Sequence, residues 1–258
     1  MSERYEFVVN LAREAGEMVL NLREKHMDVS IKNDDPRDLV TNVDIEISNF
    51  ITEKINEKFP GETIYSEEAP DVDIASSSLW TIDPIDGTAN FAKGIPHYAV
   101  VIGYVENGVP NVGAIYNPVT QELFSFEKGK GAFLNGKVIK VSAVTELIDS
   151  VIIMTSGRKL EHWEWSKKLF SFLLGKANKL RSLSCSGLDV AFVAAGRVDA
   201  CLYASLNTAD ITAALGILKE SGGIIEGQNG PVSEVSKENQ PIYVANNATL
   251  LSSIKAGL

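Results

Sequence analysis

The sequence is short of positive charge. Its 258 residues include 24 Lys and Arg against 34 Asp and Glu, which gives a formal net charge of −10. Nucleic acids and anionic membranes are bound mainly through an excess of positive charge, so we expect neither as a main partner. A protein of this charge that handles phosphate needs a local source of positive charge, and a bound divalent metal ion would supply it.

Cysteines and long apolar runs are also scarce. Cys185 and Cys201 are too few for a disulfide scaffold and do not form a C-x-x-C pair, so we expect reduced core thiols. No apolar run approaches the roughly 18 residues of a membrane span, and the N-terminus MSERYEF lacks the apolar part of a signal peptide. We therefore expect a cytoplasmic protein. The nucleotide-binding patterns G-x-x-x-x-G-K-[ST] and G-x-G-x-x-G are absent, which argues against a generic nucleotide-binding domain.

The stretch from Trp80 to Phe91, WTIDPIDGTANF, joins an apolar strand that we expect to end at Ile82 to a polar turn that begins at Asp83. Asp83 and Asp86 are three residues apart across a proline, so their carboxylates can converge. Gly87 removes a side chain where an anion could approach the backbone, and Thr88 marks a helix start that favours the same anion. Two carboxylates beside an anion need a cation between them, and Mg²⁺ prefers hard oxygen ligands of this kind. A polar turn before a capped helix is the structural alternative.

The hexapeptide Asp83-Pro84-Ile85-Asp86-Gly87-Thr88 resembles the hallmark motif of the inositol monophosphatase family of Mg²⁺-dependent, lithium-sensitive phosphatases. Further matches cover nearly the whole chain. The resemblance implies an α/β (α+β layered) fold, the αβαβα sandwich of the inositol monophosphatase and fructose-1,6-bisphosphatase type. We expect one compact unit with two halves: residues 1–149 carry the metal-binding motifs, and residues 150–258 carry the substrate-side residues.

Three further acids match the family outside the hexapeptide. The segment from Asp38 to Asp44 is similar to the motif D-L-V-T-x-x-D, whose last aspartate helps to hold the catalytic water; from spacing alone, Asp44 could equally be a first-turn acid in a capped helix. Glu67 follows a short predicted strand and matches a metal ligand, with Glu68 in a supporting role. Asp210 matches the aspartate that completes the second metal site, although an aspartate at a helix start is often only a cap.

The resemblance implies two or three Mg²⁺ ions per site and hydrolysis of a phosphomonoester by metal-activated water, without a covalent phosphoenzyme. The expected metal ligands are Glu67, Asp83, the Ile85 carbonyl, Asp86 and Asp210. The expected catalytic residues are Asp44, Glu67 and Thr88. The expected substrate- or phosphate-binding residues are Asp86, Gly87, Thr88, Ser186, Tyr203 and Asp210.

Two positions depart from the family pattern. Ala209 replaces the tryptophan before the metal aspartate, and Tyr203 replaces the acidic residue that faces the sugar ring in inositol phosphatases. The expected substrate is still inositol 1-phosphate or a similar small phosphorylated polyol or sugar. Fructose 1,6-bisphosphate, histidinol phosphate, NADP and 3′-phosphoadenosine 5′-phosphate are alternatives, as is a non-enzymatic role as a regulatory binding protein. The resemblance also implies a homodimer.

Local patterns predict the remaining elements. Apolar residues from Phe7 repeat at helical spacing, and a polar connector at residues 32–36 follows. Apolar runs between Ala99 and Leu134, with turns at Asn107-Gly108, Asn117-Pro118 and Asn135-Gly136, predict an antiparallel meander. The chain beyond residue 150 alternates strands and helices. His97 has no second His or Cys at metal spacing, so we expect an ordinary loop histidine.

Overall fold

The computed structural model describes residues 1–25, 27–32, 35–37, 39–69, 72–232 and 234–258. Asn33 and Asp34 of the predicted connector and Asp38 of the predicted D-L-V-T-x-x-D motif lie outside the described residues. The α-helices in the described part of the chain are α1 Glu3–Lys25, α2 Asn42–Lys58, α3 Thr88–Lys93, α4 Leu160–Leu173, α5 Ser186–Ala194, α6 Thr212–Ser221 and α7 Ala248–Lys255.

The strands form two large sheets and one small one. The two-stranded sheet contains β1 Val29–Ile31 and β2 Leu39–Thr41. The seven-stranded sheet contains, in spatial order, β3 Thr63–Ser66, β4 Ser78–Asp86, β5 Ala99–Glu106, β6 Val109–Asn117, β7 Glu122–Glu127, β8 Gly131–Leu134 and β9 Lys137–Val138. The six-stranded sheet contains β10 Val151–Thr155, β11 Lys179–Arg181, β12 Ala200–Leu206, β13 Ile224–Gly227, β14 Gly230–Pro231 and β15 Gln240–Ala245, in the spatial order β11-β10-β12-β15-β13-β14.

The elements stack in five layers. Helices α1 and α2 cover the outer face of the seven-stranded sheet, α5 and α6 lie between the two large sheets, and α4 and α7 cover the outer face of the six-stranded sheet. The predicted αβαβα sandwich is confirmed. The two sheets use residues before and after position 149, respectively; the division of the chain into two halves at that position stays a prediction.

The meander forms as its turns predict. Asn107 and Asn135 have φ angles of 52° and 48°, and the glycines that follow them have φ angles of 78° and 77°. Both central residues of each two-residue turn are therefore left-handed, which matches the twist of an antiparallel hairpin. None of the helices in the described ranges is long and apolar enough to cross a membrane.

Strand β4 is longer than the sequence predicts. Instead of ending at Ile82, it continues to Asp86 and pairs with β5 throughout, with a register shift between Asp83 and Asp86. Pro84 has no N–H to donate to the ladder, so the strand bulges at this point rather than ending. The bulge places both aspartates at the same end of the sheet. The sequence predicts a strand from Lys179 to Ser184, but β11 ends at Arg181, and Ser184 adopts a left-handed conformation with φ 60° that no regular strand contains.

Helix α6 approaches the seven-stranded sheet closely at Gly216. A Cβ atom at this position would overlap the ring of Phe126, which is 1% exposed on β7. The absence of a side chain at Gly216 therefore sets the separation between the central helix layer and the sheet.

We predict that Gly216→Ala destabilises the protein by about 1–3 kcal/mol, although alanine is the better helix former by about 1 kcal/mol. Urea unfolding would measure the change. The matched control is the same substitution in a Phe126→Leu background, where the smaller side chain should reduce the cost of Gly216→Ala. An unchanged cost in that background would contradict the assignment to the Phe126 ring.

Candidate active site

Glu67 and Asp83 lie side by side because β3 and β4 are parallel neighbours. Ser66 pairs with Ile82 in the register, and the Glu67 N–H donates to the Ile82 carbonyl at 3.0 Å. The next residue on each strand is therefore an acid at the same edge of the sheet. Asp83 is 5% exposed, and its Oδ1 accepts the Ile85 N–H at 3.1 Å. This bond fixes the carboxylate over the bulge.

Asp86 is held by the beginning of helix α5. Its Oδ1 accepts the Ser186 N–H at 3.0 Å, and its Oδ2 accepts the Gly187 N–H at 2.6 Å. The buried thiol of Cys185 donates to Oδ2 at 3.1 Å. A Cβ atom at Gly187 would lie 2.9 Å from Oδ2, so glycine is needed for this approach. Cys185 is the free buried thiol that the sequence predicts, but it also contacts a predicted metal ligand.

Asp210 stands just before helix α6 and does not cap it. The N-cap residue is Ile211, which makes no side-chain cap bond, so the capping alternative is wrong. Asp210 Oδ1 accepts the Tyr65 hydroxyl at 3.1 Å, and Oδ2 accepts the Asn207 amide at 2.7 Å. These two donors direct the carboxylate into the cavity that Glu67 also lines.

Asp44 caps helix α2, as one reading of the sequence predicts, and its role in holding the catalytic water stays a prediction. Its Oδ2 accepts the Thr41 N–H at 2.8 Å and completes the capping box of α2. Its Oδ1 lies 3.3 Å from Thr88 Oγ1, which is also 3.0 Å from the Ile85 carbonyl. The helix cap therefore fixes one oxygen of Asp44 and leaves the other directed at Thr88.

Burial and mutual repulsion raise the pKa values of these acids. The pKa of Asp83 is raised well above its ordinary value by burial and then by the charges of Glu67, Asp86 and Asp210. Burial also raises the pKa of Asp86, against the donors that stabilise its charge. The pKa of Asp210 rises to about 7, first through burial and then through Glu67. Burial raises the pKa of Asp44 as well.

The acids open into one cavity of about 340 Å³. It is lined by Arg37, Leu39, Glu67, Asp83, Ile85, Asp86, Gly87, Thr88, Ala89, Thr155, Arg158, Ser184, Ser186 and Asp210. Among the described residues, no group of three or more His, Cys, Asp or Glu side chains lies close enough together to hold a metal ion without movement. Like charges in a buried site move apart or take up protons unless a cation lies between them. The chemistry of the donors fits a hard divalent cation, whose binding would draw the carboxylates together.

Two residues that the sequence singles out for the substrate pocket lie behind its wall. Tyr203 is 2% exposed in the core between the sheets, and its hydroxyl donates to the Ser186 carbonyl at 3.3 Å. Ala209 is 1% exposed and packs in a small cluster with Tyr65. Ser186, another expected substrate-binding residue, does line the cavity.

Gly87 adopts a left-handed conformation with φ 88° at the N-cap of α3, as the turn before a predicted helix requires. A Cβ atom there would lie 3.0 Å from the His97 carbonyl. His97 itself lies in the predicted loop, and its Nε2 is 2.9 Å from Oδ1 of the buried Asp189 on α5. It is not among the residues that line the cavity.

Sequence reasoning missed the basic residues of the site. Lys32 Nζ lies 2.7 Å from Glu68 Oε1 and 3.5 Å from Glu67 Oε1, whereas Arg37 and Arg158 line the cavity. The positions of Lys32 and Arg37 just before the D-L-V-T motif were a usable signal, because that motif was already assigned to the site. Arg158 has no comparable local signal in the sequence.

Comparison with known proteins identifies the inositol monophosphatase family along nearly the whole chain. The family model described as inositol monophosphatase family matches residues 1–256. Fructose-1,6-bisphosphatase/inositol-1-monophosphatase of Thermotoga maritima is 32% identical over 237 residues, 92% of this chain and 90% of that protein. Nus factor SuhB of Pasteurella multocida is 32% identical over 234 residues, 89% of this chain and 87% of that protein. The solved structure of an IMPase of Thermotoga maritima superposes with a TM-score of 0.87 at 31% identity, covering 99% of this chain and 97% of that one.

We predict that the metal-free protein loses stability as the pH rises from about 4 to 7. The folded-state pKa of Asp210 is about 7 and its ordinary value is 3.8, so the folded protein keeps a proton that the unfolded chain releases. Asp210→Asn removes this titration and should lose less stability between pH 5 and pH 8, by about 1–3 kcal/mol.

Urea unfolding in the presence of a chelator would measure these values. Asp149→Asn, which changes an exposed acid, is the matched control and should behave like the unsubstituted protein. An Asp210→Asn protein with the same pH dependence as this control would show that Asp210 is not strained in the folded state.

Proposed function

The chain belongs to the inositol monophosphatase family, and we propose that it hydrolyses a small phosphorylated polyol or sugar with Mg²⁺ bound in the acidic cavity. That it is a phosphomonoester hydrolase follows from the family. The identity of the metal, the residues that bind it and the substrate are what we propose. The observation that supports them is the convergence of Glu67, Asp83, Asp86 and Asp210 on one cavity, with raised pKa values at the three aspartates.

Mg²⁺ would be held by the four carboxylates and by the Ile85 carbonyl. When bound, it would supply positive charge to the phosphoryl group and lower the pKa of a nearby water. The chain prepares this site from the seven-stranded sheet and the central helix layer: Asp83 and Asp86 lie on β4, whereas the donors that orient Asp86 belong to α5. Donors placed in advance need no rearrangement during the reaction.

Thr88 and Asp44 would orient the attacking water. Thr88 Oγ1 is within hydrogen-bond distance of Asp44 Oδ1, so the hydroxyl can donate to Asp44 and accept a hydrogen bond from water. The capping bond from Thr41 to Oδ2 prevents the Asp44 carboxylate from turning away. A water at this position would transfer its proton toward a carboxylate whose pKa is already raised.

The N–H groups of Gly87 and Thr88 would donate hydrogen bonds to the phosphate oxygens. The organic part of the substrate would extend toward Ser186. Tyr203 would not contact the substrate. Its hydroxyl donates to the Ser186 carbonyl, so it would affect substrate binding by positioning Ser186. A lost polar partner in a binding site can change substrate discrimination by orders of magnitude, so the replacement at Tyr203 bears on the choice of substrate.

A regulatory binding role is the second candidate. It is supported by the name Nus factor of the Pasteurella multocida relative. The homodimer, the cytoplasmic location, the number of metal ions and the lithium sensitivity remain predictions.

We predict Mg²⁺-dependent phosphate release that is concentrated on one member of a substrate panel. The panel contains inositol 1-phosphate, fructose 1,6-bisphosphate, histidinol phosphate, NADP and 3′-phosphoadenosine 5′-phosphate. Asp83→Asn should lower kcat by about a thousandfold or more, because it removes a negative ligand from the centre of the site.

The control for this substitution is Asp149→Asn, which should keep full activity. Full Mg²⁺-dependent turnover by the Asp83→Asn protein would contradict the proposed mechanism. Release from no member of the panel by the unsubstituted protein would favour the regulatory role.

We predict that Cys185→Ala raises the Mg²⁺ concentration for half-maximal activity about threefold to tenfold, since groups that orient a metal ligand contribute to metal affinity. Cys185→Ser keeps a donor to Asp86 Oδ2 and should stay within about twofold of the unsubstituted protein. Calorimetric Mg²⁺ titration would measure both variants independently of turnover. Equal losses in the two variants would show that the thiol matters for packing and not as a donor.

A further inference from the structure

His97 and Asp189 form a buried hydrogen-bonded pair that the proposed mechanism does not use. His97 lies in the segment between α3 and β5, and Asp189 lies in the first turn of α5. His97 Nε2 is 2.9 Å from Asp189 Oδ1. Asp189 is 0% exposed, and its Oδ2 has no hydrogen-bond partner among the described residues. His97 is therefore the partner that the structure gives to this buried carboxyl group.

The surroundings of the pair fix its geometry. The His97 ring packs edge to face on the ring of Phe192, further along α5, with the ring centres 5.5 Å apart. Burial raises the pKa of Asp189 to about 6, whereas the bond with His97 lowers it. A hydrogen bond to an ionised group is strong in a low-dielectric interior, and a buried carboxyl group without it keeps an uncompensated desolvation cost. The bond therefore sets the position of the His97 segment relative to α5.

The backbone of His97 contacts the turn at which phosphate binding is proposed. Its carbonyl accepts the Asn90 amide at 2.8 Å, and Asn90 belongs to α3, the helix that follows Gly87. The same amide group donates to the Leu183 carbonyl at 2.7 Å. A Cβ atom at Gly87 would lie 3.0 Å from the His97 carbonyl and 3.2 Å from Cys185 Cβ. The turn is thus enclosed between the His97 segment and the segment that leads into α5.

The other partner of the pair belongs to the helix that holds Asp86. The first N–H groups of α5 donate to the Asp86 carboxylate. Asp189 lies in the same first turn, and its N–H donates to the Cys185 carbonyl at 2.8 Å. The bond from His97 to Asp189 therefore connects the Gly87 turn to the helix start that orients Asp86.

We propose that His97 and Asp189 are positioning residues that hold the turn at Gly87 and Thr88 against the beginning of α5. This inference rests on the proposed function, in which the N–H groups of that turn bind the phosphate oxygens. The pair touches neither substrate nor metal, and it acts by fixing the direction of those N–H groups relative to Asp86. Loss of the bond would let the turn shift, and displaced donors bind an anion more weakly.

Binding of inorganic phosphate at saturating Mg²⁺, measured by calorimetry, tests this role together with the kinetics of phosphate release. His97→Phe keeps an aromatic ring against Phe192 but has no N–H group to bond with Asp189. It should raise the Kd for phosphate and the KM for the substrate about tenfold and change kcat less than about threefold, since the turn holds the phosphoryl group before and during the reaction. His97→Gln keeps an N–H donor and should stay within about threefold of the unsubstituted protein in all three quantities.

Two further variants separate positioning from stability. Val193→Ala leaves a cavity at a residue of α5 that is 0% exposed and is the matched control: it should lower the urea midpoint and change the phosphate Kd less than about twofold. His97→Phe combined with Asp189→Leu removes the unpaired carboxyl group, so the double variant should fold even where His97→Phe does not. It should still bind phosphate about tenfold more weakly, because an apolar contact does not fix a direction.

Normal phosphate binding by the double variant would overturn the proposal, as would an equal weakening in Val193→Ala. Failure of the proposed function gives a different result. If the unsubstituted protein releases no phosphate from any member of the panel but binds inorganic phosphate, and the double variant binds it about tenfold more weakly, the positioning role stands and the hydrolase mechanism falls. Phosphate bound equally by the two proteins, or by neither, overturns the positioning role.

Discussion

Repulsion among buried carboxylates is the constraint on which the site depends. Glu67, Asp83, Asp86 and Asp210 share one cavity, and burial together with their mutual charge raises the pKa values of the three aspartates. Such an arrangement is unfavourable for the folded chain by itself. It persists because neighbouring donors hold two of the acids in place: the N–H groups of α5 donate to Asp86, and the Tyr65 hydroxyl donates to Asp210. A divalent cation converts the same repulsion into affinity.

The layered architecture places these donors where the acids need them. The seven-stranded sheet supplies Asp83 and Asp86 at the bulge of β4, and the central helix layer supplies the N–H groups of Ser186 and Gly187 from a position about 100 residues away. Close packing at Gly187 and Gly216 brings the helices near enough to the sheet. The carboxylate site therefore depends on the packing of the helices between the sheets, and the proposed metal binding would be coupled to the stability of the fold.

Local sequence patterns predicted the parts of the structure that depend on local interactions. The Asn-Gly turns specify the meander, the apolar periodicity specifies α1, and the spacing from Asp83 to Thr88 brings two carboxylates to a helix start. The continuation of β4 past Ile82 was missed because pairing with β5 overrides the tendency of a proline to end a strand. Tyr203 was placed in the pocket, but β12 directs it into the core between the sheets. Tyr65 and Asp210 are 145 residues apart, so no local pattern reports their contact.

The basic residues near the cavity explain how an acidic site can keep positive charge close without blocking itself. A mobile cation beside Asp83 would pair with the carboxylates and compete with the metal. Lys32 is instead drawn toward Glu68, at 2.7 Å, with Glu67 farther away at 3.5 Å. Arg37 is held by Asp35 and by the Arg158 carbonyl. Each of these side chains has a partner that limits its reach, so their charge can act on an incoming anion while the four carboxylates stay available to the proposed metal ion.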